Sequence, residues 1–151
     1  MSVAKKGSKK EAKVKKIKKV SEGRGIINGH FNYNNTILNL SKENGDVLVQ
    51  SSSGSIDLGN NKKVTGSRKS TPFMAEKVAE EIIRKALEFG ISSVKLQVKG
   101  IGAGRDTVIK KILEEKEIEI DGIKKKITVE ELIDKTPVPH GGCRPRKRPR
   151  K

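Results

Sequence analysis

Three glycines and an arginine occur where a predicted strand leads into a predicted helix. Gly100, Gly102 and Gly104 stand at alternate positions and Arg105 follows them directly. Glycines let a backbone approach an anion closely, and a helix N-terminus offers free N–H groups, so this segment is typical of a phosphate contact. The dinucleotide fingerprint requires its third glycine at the position of Arg105, and no Walker lysine follows, so no nucleotide cofactor is predicted. A tight turn that needs small residues explains the segment equally well, and both interpretations stay open.

A cationic segment precedes the longer predicted helix. Residues 66–72 read Gly-Ser-Arg-Lys-Ser-Thr-Pro. Candidate donors to phosphate oxygens are Ser67, Arg68, Lys69 and Ser70. Ser70 and Thr71 are equally explained as a solvated loop and a helix cap, whereas no structural duty for Arg68 and Lys69 is visible in the sequence. RNA contact is therefore the favoured interpretation for these two cations.

Aromatic, histidine and cysteine residues are few, and their spacing does not predict catalysis. Phe31 and Tyr33 are two positions apart on a predicted strand and so share a face, where base stacking and core packing both remain open. His30 and His140 are far apart, and Cys143 has no second cysteine with which to form an internal disulfide. We therefore predict no catalytic residue, no metal site and no cofactor.

Positive charge is concentrated at the two ends of the chain. The formal net charge is +16 over 151 residues, of which residues 1–20 carry +8, residues 144–151 carry +6 and residues 21–143 carry only +2. The cations near the C-terminus are Arg144, Arg146, Lys147, Arg148, Arg150 and Lys151. Such runs require a polyanion or an anionic surface, and they stay disordered until it neutralises them. We predict a lysine-rich flexible arm over 1–20, a single domain over 21–143 and an extended arginine- and proline-rich C-terminal tail over 144–151.

Between these basic extensions the pattern is mixed α and β. Strands are predicted over 25–33, 35–41, 47–49 and 94–98, and helices over 72–89 and about 106–116. Thr71 and Pro72 form a helix start, and Gly90 ends that helix. Farther on, Asp121-Gly122 indicates a hairpin, while 129–133 fits a strand or a helical turn. The order predicts an α/β fold in which two main helices pack on a mixed open sheet of about five strands.

Several classes of protein are excluded. No stretch approaches the ~18–20 consecutive apolar residues that cross a bilayer. The lysine-rich start lacks an apolar core, so a secretory signal is not predicted, and its shortage of arginine makes an organellar presequence the less favoured reading.

At the segments described above, the sequence resembles the bacterial-type family of small-subunit ribosomal protein eleven. The matching stretches are 33–36, 66–73, 98–105 and 136–145, of which Arg-Lys-Ser-Thr-Pro-Phe and the His-to-Pro ending are specific. The resemblance implies a ribonuclease-H-like arrangement without that activity. It further implies a structural protein of the small ribosomal subunit, in the cytoplasm of a bacterial-type cell. Its implied place is the platform near the messenger RNA exit, on small-subunit rRNA, beside proteins six, seven and eighteen.

Carried over position by position, the resemblance and the charge pattern together define an rRNA-binding set. Its members are Asn34, Asn35, Ser67, Arg68, Lys69, Ser70, Lys99, Gly102, Gly104, Arg105, His140, Arg144, Arg146, Lys147, Arg148, Arg150 and Lys151. The chain departs from the family at Ile101 and Ala103, where prolines are usual, and at Gly141, where asparagine is usual. Residues 117–127 are also longer than is usual.

Two other classes are weighed against this hypothesis. A nucleic-acid-processing enzyme on a similar sheet would need three or more acids converging at one sheet edge. A generic basic protein that compacts DNA or coats membranes would tolerate scrambling of either basic extension. The Arg68–Phe73 run argues against the generic protein, because bulk charge needs no such loop.

Overall fold

The computed structural model describes residues 23–57, 63–114, 118–120 and 123–150, within which seven strands and two α-helices occur. The strands are β1 (Arg24–Phe31), β2 (Thr36–Ser41), β3 (Val47–Ser52), β4 (Ser93–Gly100), β5 (Ile118–Ile120), β6 (Ile123–Lys125) and β7 (Thr128–Asp134). The helices are α1 (Pro72–Glu88) and α2 (Arg105–Leu113), and a 3₁₀ turn spans Gly66–Ser70. The predicted arm over 1–20 lies outside the described residues.

Five of these strands form one mixed sheet in the order β3-β2-β1-β4-β7. The first three strands of the chain are antiparallel neighbours, whereas β4 is parallel to both β1 and β7. β5 and β6 pair separately as an antiparallel hairpin. The predicted α/β class with a five-stranded mixed sheet and two helices is therefore confirmed.

The helices pack on one face of the sheet because the helices and the strands each carry apolar side chains on one side and polar side chains on the other. Helix α1 buries Met74, Ala75, Val78, Ala79, Ile82, Ile83, Ala86 and Leu87. These side chains join a single core with Val108 and Ile112 of α2 and with the inward-facing strand residues. The inward strand residues include Ile27, Leu38, Leu40, Val94, Leu96 and Val98. Positions between them on β1 and β4 face away from the helices, so the opposite face of the sheet carries polar side chains.

The start of α1 follows the predicted capping pattern. Thr71 is the N-cap, and its Oγ1 accepts a hydrogen bond from the Met74 N–H at 3.4 Å. Pro72 occupies the first turn, where its missing N–H group leaves no hydrogen bond unmade. Since these are contacts between near neighbours in sequence, the helix start was readable without tertiary information.

Ion pairs on α1 depart in part from their predicted partners. Four-residue spacing predicts Glu81–Lys85 and Glu80–Arg84 pairs. The first forms, with Glu81 Oε1 and Lys85 Nζ 2.5 Å apart. The second prediction was wrong, because Glu80 instead contacts Lys111 Nζ of α2 at 2.8 Å.

Lys111 joins the two helices electrostatically. Its Nζ lies 2.6 Å from Glu76 and 2.8 Å from Glu80, and its side chain is only 13% exposed. The hydrogen bonds that the Lys111 ammonium donates to Glu76, the larger cause, and to Glu80 hold the pKa of Lys111 well above its ordinary value. The Lys111 charge therefore stabilises the Glu76 and Glu80 carboxylates, and these contacts hold α2 against α1.

Three remaining predictions are resolved by the structure. The second helix ends at Leu113, earlier than predicted. The hairpin around residues 121–122 forms between β5 and β6. The ambiguous stretch over 129–133 is a strand, because β7 pairs in parallel with β4 at the edge of the main sheet.

Candidate nucleic-acid interface

The segments singled out in the sequence meet at one edge of the main sheet. Because β1, β4 and β7 are parallel, all three end at the same edge, here called the carboxyl edge. The Asn32–Asn35 turn follows β1, the glycine loop (Gly100–Gly104) follows β4, and residues 135–143, the tail linker, follow β7. Ligands of open α/β sheets commonly bind at such an edge, where several chain segments leave the strands together.

The Asn32–Asn35 turn presents polar and aromatic groups at the carboxyl edge. A hydrogen bond of 2.9 Å from the Asn32 N–H to the Asn35 carbonyl closes the turn, and Asn35 Oδ1 accepts from the Thr36 N–H at 3.0 Å. Asn34 is exposed. The Asn35 side chain thus shapes the turn, while that of Asn34 faces solvent.

Phe31 and Tyr33 do not share a strand face as predicted. β1 ends at Phe31, which is buried in the core, whereas Tyr33 lies in the turn and is 73% exposed. Core packing is therefore the role of Phe31. Tyr33 alone is available to an external partner.

Within the glycine loop, Gly102 and Gly104 lie so close to neighbouring segments that no side chain fits at either position. A Cβ on Gly102 would lie 2.5 Å from the Asn32 carbonyl oxygen, and one on Gly104 would lie 2.4 Å from the Cβ of Ala75 in α1. The Gly102 N–H already donates to the Phe31 carbonyl at 3.2 Å. Packing therefore accounts for these two glycines without a ligand, and their contact with RNA stays a prediction.

Arg105 is held by partners within the protein. Its Nη1 donates to the Gly100 carbonyl at 3.1 Å, and its Nη2 donates to Asp134 Oδ2 at 2.6 Å. These bonds connect the start of α2 with the ends of β4 and β7. The guanidinium therefore fixes the geometry of the carboxyl edge, and a phosphate would have to use its remaining N–H groups.

Asp134 and Thr136 are two functional positions that the sequence reading missed. Asp134 Oδ1 accepts from both the N–H and the hydroxyl of Thr136, at 2.8 and 2.6 Å, and Thr136 Oγ1 accepts from the Gly100 N–H at 3.1 Å. The tail linker is thereby fastened to the glycine loop at its second residue. An Asp followed two positions later by Thr is a local turn signal that the sequence does contain.

Replacing Thr136 by valine is expected to raise the pKa of Asp134. The Thr136 hydroxyl, its N–H and the Arg105 guanidinium together hold the pKa of Asp134 at about 2, below its ordinary 3.8. Since this pKa is depressed in the folded state, the carboxylate stabilises the fold above pH 3.8, and the contribution is lost as pH falls through about 2. A carbon-detected NMR titration of the Asp134 carboxyl should show its midpoint moving toward 3.8 in Thr136→Val.

Thr128→Val, in the same strand as Asp134, is the matched control and should leave that midpoint where it is. An unchanged midpoint in Thr136→Val would show that the hydroxyl does not stabilise the carboxylate.

The 3₁₀ turn over Gly66–Ser70, here called the basic turn, leads directly into α1 at the carboxyl edge. The Ser70 hydroxyl donates to the Ser67 carbonyl at 2.9 Å, and Thr71 Oγ1 donates to the Arg68 carbonyl at 2.8 Å. The hydroxyls of Ser70 and Thr71 therefore organise the turn itself. Arg68 is exposed and Lys69 half-buried, and neither has an ion-pair partner in the described part of the chain.

Beyond Thr136 the chain is exposed to solvent. Every residue from Pro137 to Arg150 is exposed and lies outside helices and strands. The exposed candidate contacts in this stretch are His140, Arg144, Arg146, Lys147, Arg148 and Arg150. Lys151 lies outside the described residues. Lys99, at the end of β4, is exposed as well, so the unpaired cations of the edge and of the tail are all accessible.

Metal-ligating side chains do not cluster in the part of the chain that the structure describes. Within 23–57, 63–114, 118–120 and 123–150, no three His, Cys, Asp or Glu side chains are placed to hold a metal ion. No helix in these same ranges has the length and apolar character needed to cross a bilayer.

The sequence is similar to known proteins along nearly its whole length. Residues 25–150 match the family model described as Ribosomal protein S11. The chain is 42% identical over 142 residues to the small ribosomal subunit protein uS11 of Nautilia profundicola, which covers 94% of this chain and 97% of that protein. It is 38% identical over 149 residues to uS11 of Thermus thermophilus, covering 99% of this chain and 98% of that one. Identity to uS11 of Kosmotoga olearia is 37% over 141 residues, covering 93% and 96%.

Proposed function

Because this chain belongs to the ribosomal protein S11 family, we propose that it binds small-subunit rRNA through its carboxyl edge and its two basic extensions. It is a ribosomal protein of the small subunit, with a structural rather than a catalytic role. Within the subunit, it helps to assemble the platform near the messenger RNA exit. Its neighbours there are proteins six, seven and eighteen, and its compartment is the cytoplasm of a bacterial-type cell.

The observation that carries this proposal is the convergence of unpaired cations on one edge of a nearly neutral domain. Arg68, Lys69 and Lys99 lie at or next to the carboxyl edge without ion-pair partners among the described residues. By contrast, Arg24 and Lys95, near the opposite end of the sheet, contact Glu130 and Glu131 at 3.6 and 3.5 Å. Arg24 and Lys95 are thus neutralised away from the proposed interface, whereas Arg68, Lys69 and Lys99 stay available at it.

The mechanism is electrostatic assembly around a rigid body. The arm over 1–20 and the C-terminal tail enter crevices where rRNA phosphates crowd together, and condensed counterions leave as the charges are neutralised. The domain over 21–143 sets the position of both. Arginines of the tail suit bidentate phosphate contacts, whereas the lysines of the arm act as mobile point charges.

Salt dependence of rRNA binding tests this mechanism. If about ten phosphates are neutralised, log K should fall with log salt with a slope between roughly −7 and −9. The double substitution Arg68→Gln/Lys69→Gln should reduce the magnitude of that slope by about 1.4–1.8, because two phosphate contacts are lost. Filter binding of the full chain to small-subunit rRNA over a salt series measures both quantities.

Lys42→Gln is the matched control, since Lys42 follows β2 at the edge opposite the carboxyl edge. Its slope should equal that of the unsubstituted chain. A salt slope near −2 for the unsubstituted chain would contradict electrostatic assembly. Equal reductions of the slope in Lys42→Gln and in Arg68→Gln/Lys69→Gln would contradict an interface at the carboxyl edge.

A further inference from the structure

The sheet face that points away from the helices carries a row of three carboxamide side chains. Asn28 on β1 is paired in register with Asn39 on β2 and with Gln97 on β4. Side chains at paired positions of neighbouring strands lie on the same face, and Asn28 alternates with the buried Ile27. Asn39, Asn28 and Gln97, here called the amide row, therefore stand side by side on the open face.

The amide row lines a shallow concavity. Its volume is about 140 Å³, and its polar lining consists of the amide row together with His30, Lys99 and Lys135. A cavity of roughly 150 Å³ is large enough for one benzene-sized ring. The concavity therefore matches a single planar ring rather than a larger cofactor.

One acceptor of the amide row has no hydrogen-bond partner among the described residues. Asn39 Oδ1 is buried and unpaired in that part of the chain, while Asn28 Nδ2 donates to Ser41 Oγ at 3.4 Å. Buried polar atoms in native proteins are nearly always hydrogen-bonded, because an unpaired one retains its desolvation penalty. Rotation of the Asn39 side chain toward the concavity would expose this oxygen to an N–H donor of a ligand, and that hydrogen bond would satisfy it.

Charge on the open face is arranged to favour an anion at one end. Lys99 and Lys135 line the concavity close to the carboxyl edge, and neither forms an ion pair among the described residues. Farther from that edge, Lys95 is neutralised by Glu131 at 3.5 Å. Unpaired lysines are therefore present both in the concavity and at the proposed rRNA interface.

The backbone N–H and C=O groups around the concavity already form hydrogen bonds within the sheet. β1 and β4 are central strands with a hydrogen-bonded neighbour on each side, so a peptide cannot add there as a further strand. Recognition must proceed through side chains, and carboxamides recognise groups that present a donor and an acceptor side by side. Nucleobase edges have this property, and lysines beside them suit the flanking phosphates.

We propose that the amide row binds the edge of one unpaired RNA base while Lys99 and Lys135 contact the phosphates on either side of it. The base carries an exocyclic amino group, as adenine does, which donates to Asn39 Oδ1 once that side chain has rotated toward the concavity. This inference rests on the proposed function, since it assigns a nucleotide site to a protein that binds rRNA. It adds base recognition to an interface that is otherwise electrostatic.

Competition between two short RNAs tests base recognition by the full chain. Fluorescence anisotropy with decaadenylate and decauridylate at one salt concentration should show a roughly tenfold preference for decaadenylate, the discrimination expected of one bidentate contact. In Asn28→Ala/Asn39→Ala/Gln97→Ala this preference should fall below about twofold, because each RNA then retains only phosphate contacts. Gln50→Ala is the matched control, since Gln50 pairs with Asn39 but lies outside the concavity, and it should keep the full preference.

A second measurement needs no substitution. The side-chain NH₂ resonances of Asn28, Asn39 and Gln97 should shift when decaadenylate is added, and that of Gln50 should not. Equal affinity of the unsubstituted chain for the two RNAs, or an undiminished preference in the triple variant, would overturn the inference. In either case rRNA binding with a steep salt slope would persist, so the proposed function would stand. Loss of rRNA binding itself would instead contradict both base recognition by the amide row and the proposed function.

Discussion

Substitution of Gly100 by alanine is expected to lower the free energy of unfolding by about 2–5 kcal/mol, the sum of the left-handed backbone cost and overpacking. Gly100 has a φ of +100°, and a Cβ there would lie 2.1 Å from the Phe31 carbonyl oxygen. The clash involves backbone on both sides, so neither rotamer changes nor side-chain movement can relieve it. Urea unfolding followed by circular dichroism measures the loss.

Gly45→Ala separates the two contributions to this loss. Gly45 has a similar φ of +90°, but a Cβ added there would have no atom within 4 Å of it. Alanine at this position meets only the left-handed backbone cost of roughly 1–2 kcal/mol. The Gly100 variant should therefore be distinctly less stable than the Gly45 variant, and equal losses would show that the approach of Gly100 to Phe31 carries no energetic weight.

Removal of the C-terminal tail is expected to lower rRNA affinity far more than the double substitution Arg68→Gln/Lys69→Gln. Residues 144–151 contain six cations and no acid. If each cation contacts one phosphate, deletion should reduce the magnitude of the salt slope by roughly 4–5 and the affinity near physiological salt by about two to four orders of magnitude. Occupancy in small subunits, measured on sucrose gradients, should fall more than it does for Lys5→Ala/Lys6→Ala.

Charge and chain length are distinguished by a second tail variant. Changing all six cations to glutamine keeps Pro145, Pro149 and the length of the tail. This variant should match the deletion in salt slope and occupancy. Retention of full occupancy by the glutamine variant would show that tail shape, and not its charge, places the protein, which would contradict the electrostatic mechanism.

Elements whose signals are local were predicted almost to the residue. Helix α1 was expected over 72–89 and spans Pro72–Glu88, because its cap, its proline and its apolar periodicity all lie within the helix or next to it. The pairing of β5 with β6 was likewise expected from the Asp-Gly signal in the sequence between them. In such elements each residue interacts mainly with near neighbours in the sequence.

Roles that depend on distant partners were not readable from the sequence. The contact of the Arg105 guanidinium with Asp134, 29 positions later, was not anticipated, while its contact with rRNA stays a prediction. Glu80 pairs across helices with Lys111 rather than with Arg84. Both outcomes depend on which elements are neighbours in the sheet and in the helix layer, and sequence spacing alone does not give that information. The convergence of the candidate segments at one edge depends on it too, because β1, β4 and β7 are adjacent only after folding.

If the carboxyl edge and the tail both bind rRNA as proposed, the fastening of Thr136 to Gly100 and Asp134 makes the domain and its tail a bivalent ligand with a short tether. Arg150 is fourteen residues beyond this anchor, so a fully extended chain reaches at most about 50 Å from it. Once the domain has docked, the second binding event is intramolecular, and the effective concentration of tail cations near the neighbouring phosphates is set by that reach. Dissociation then requires the domain and the tail to release the rRNA together, so the residence time of the whole protein exceeds that of either part alone.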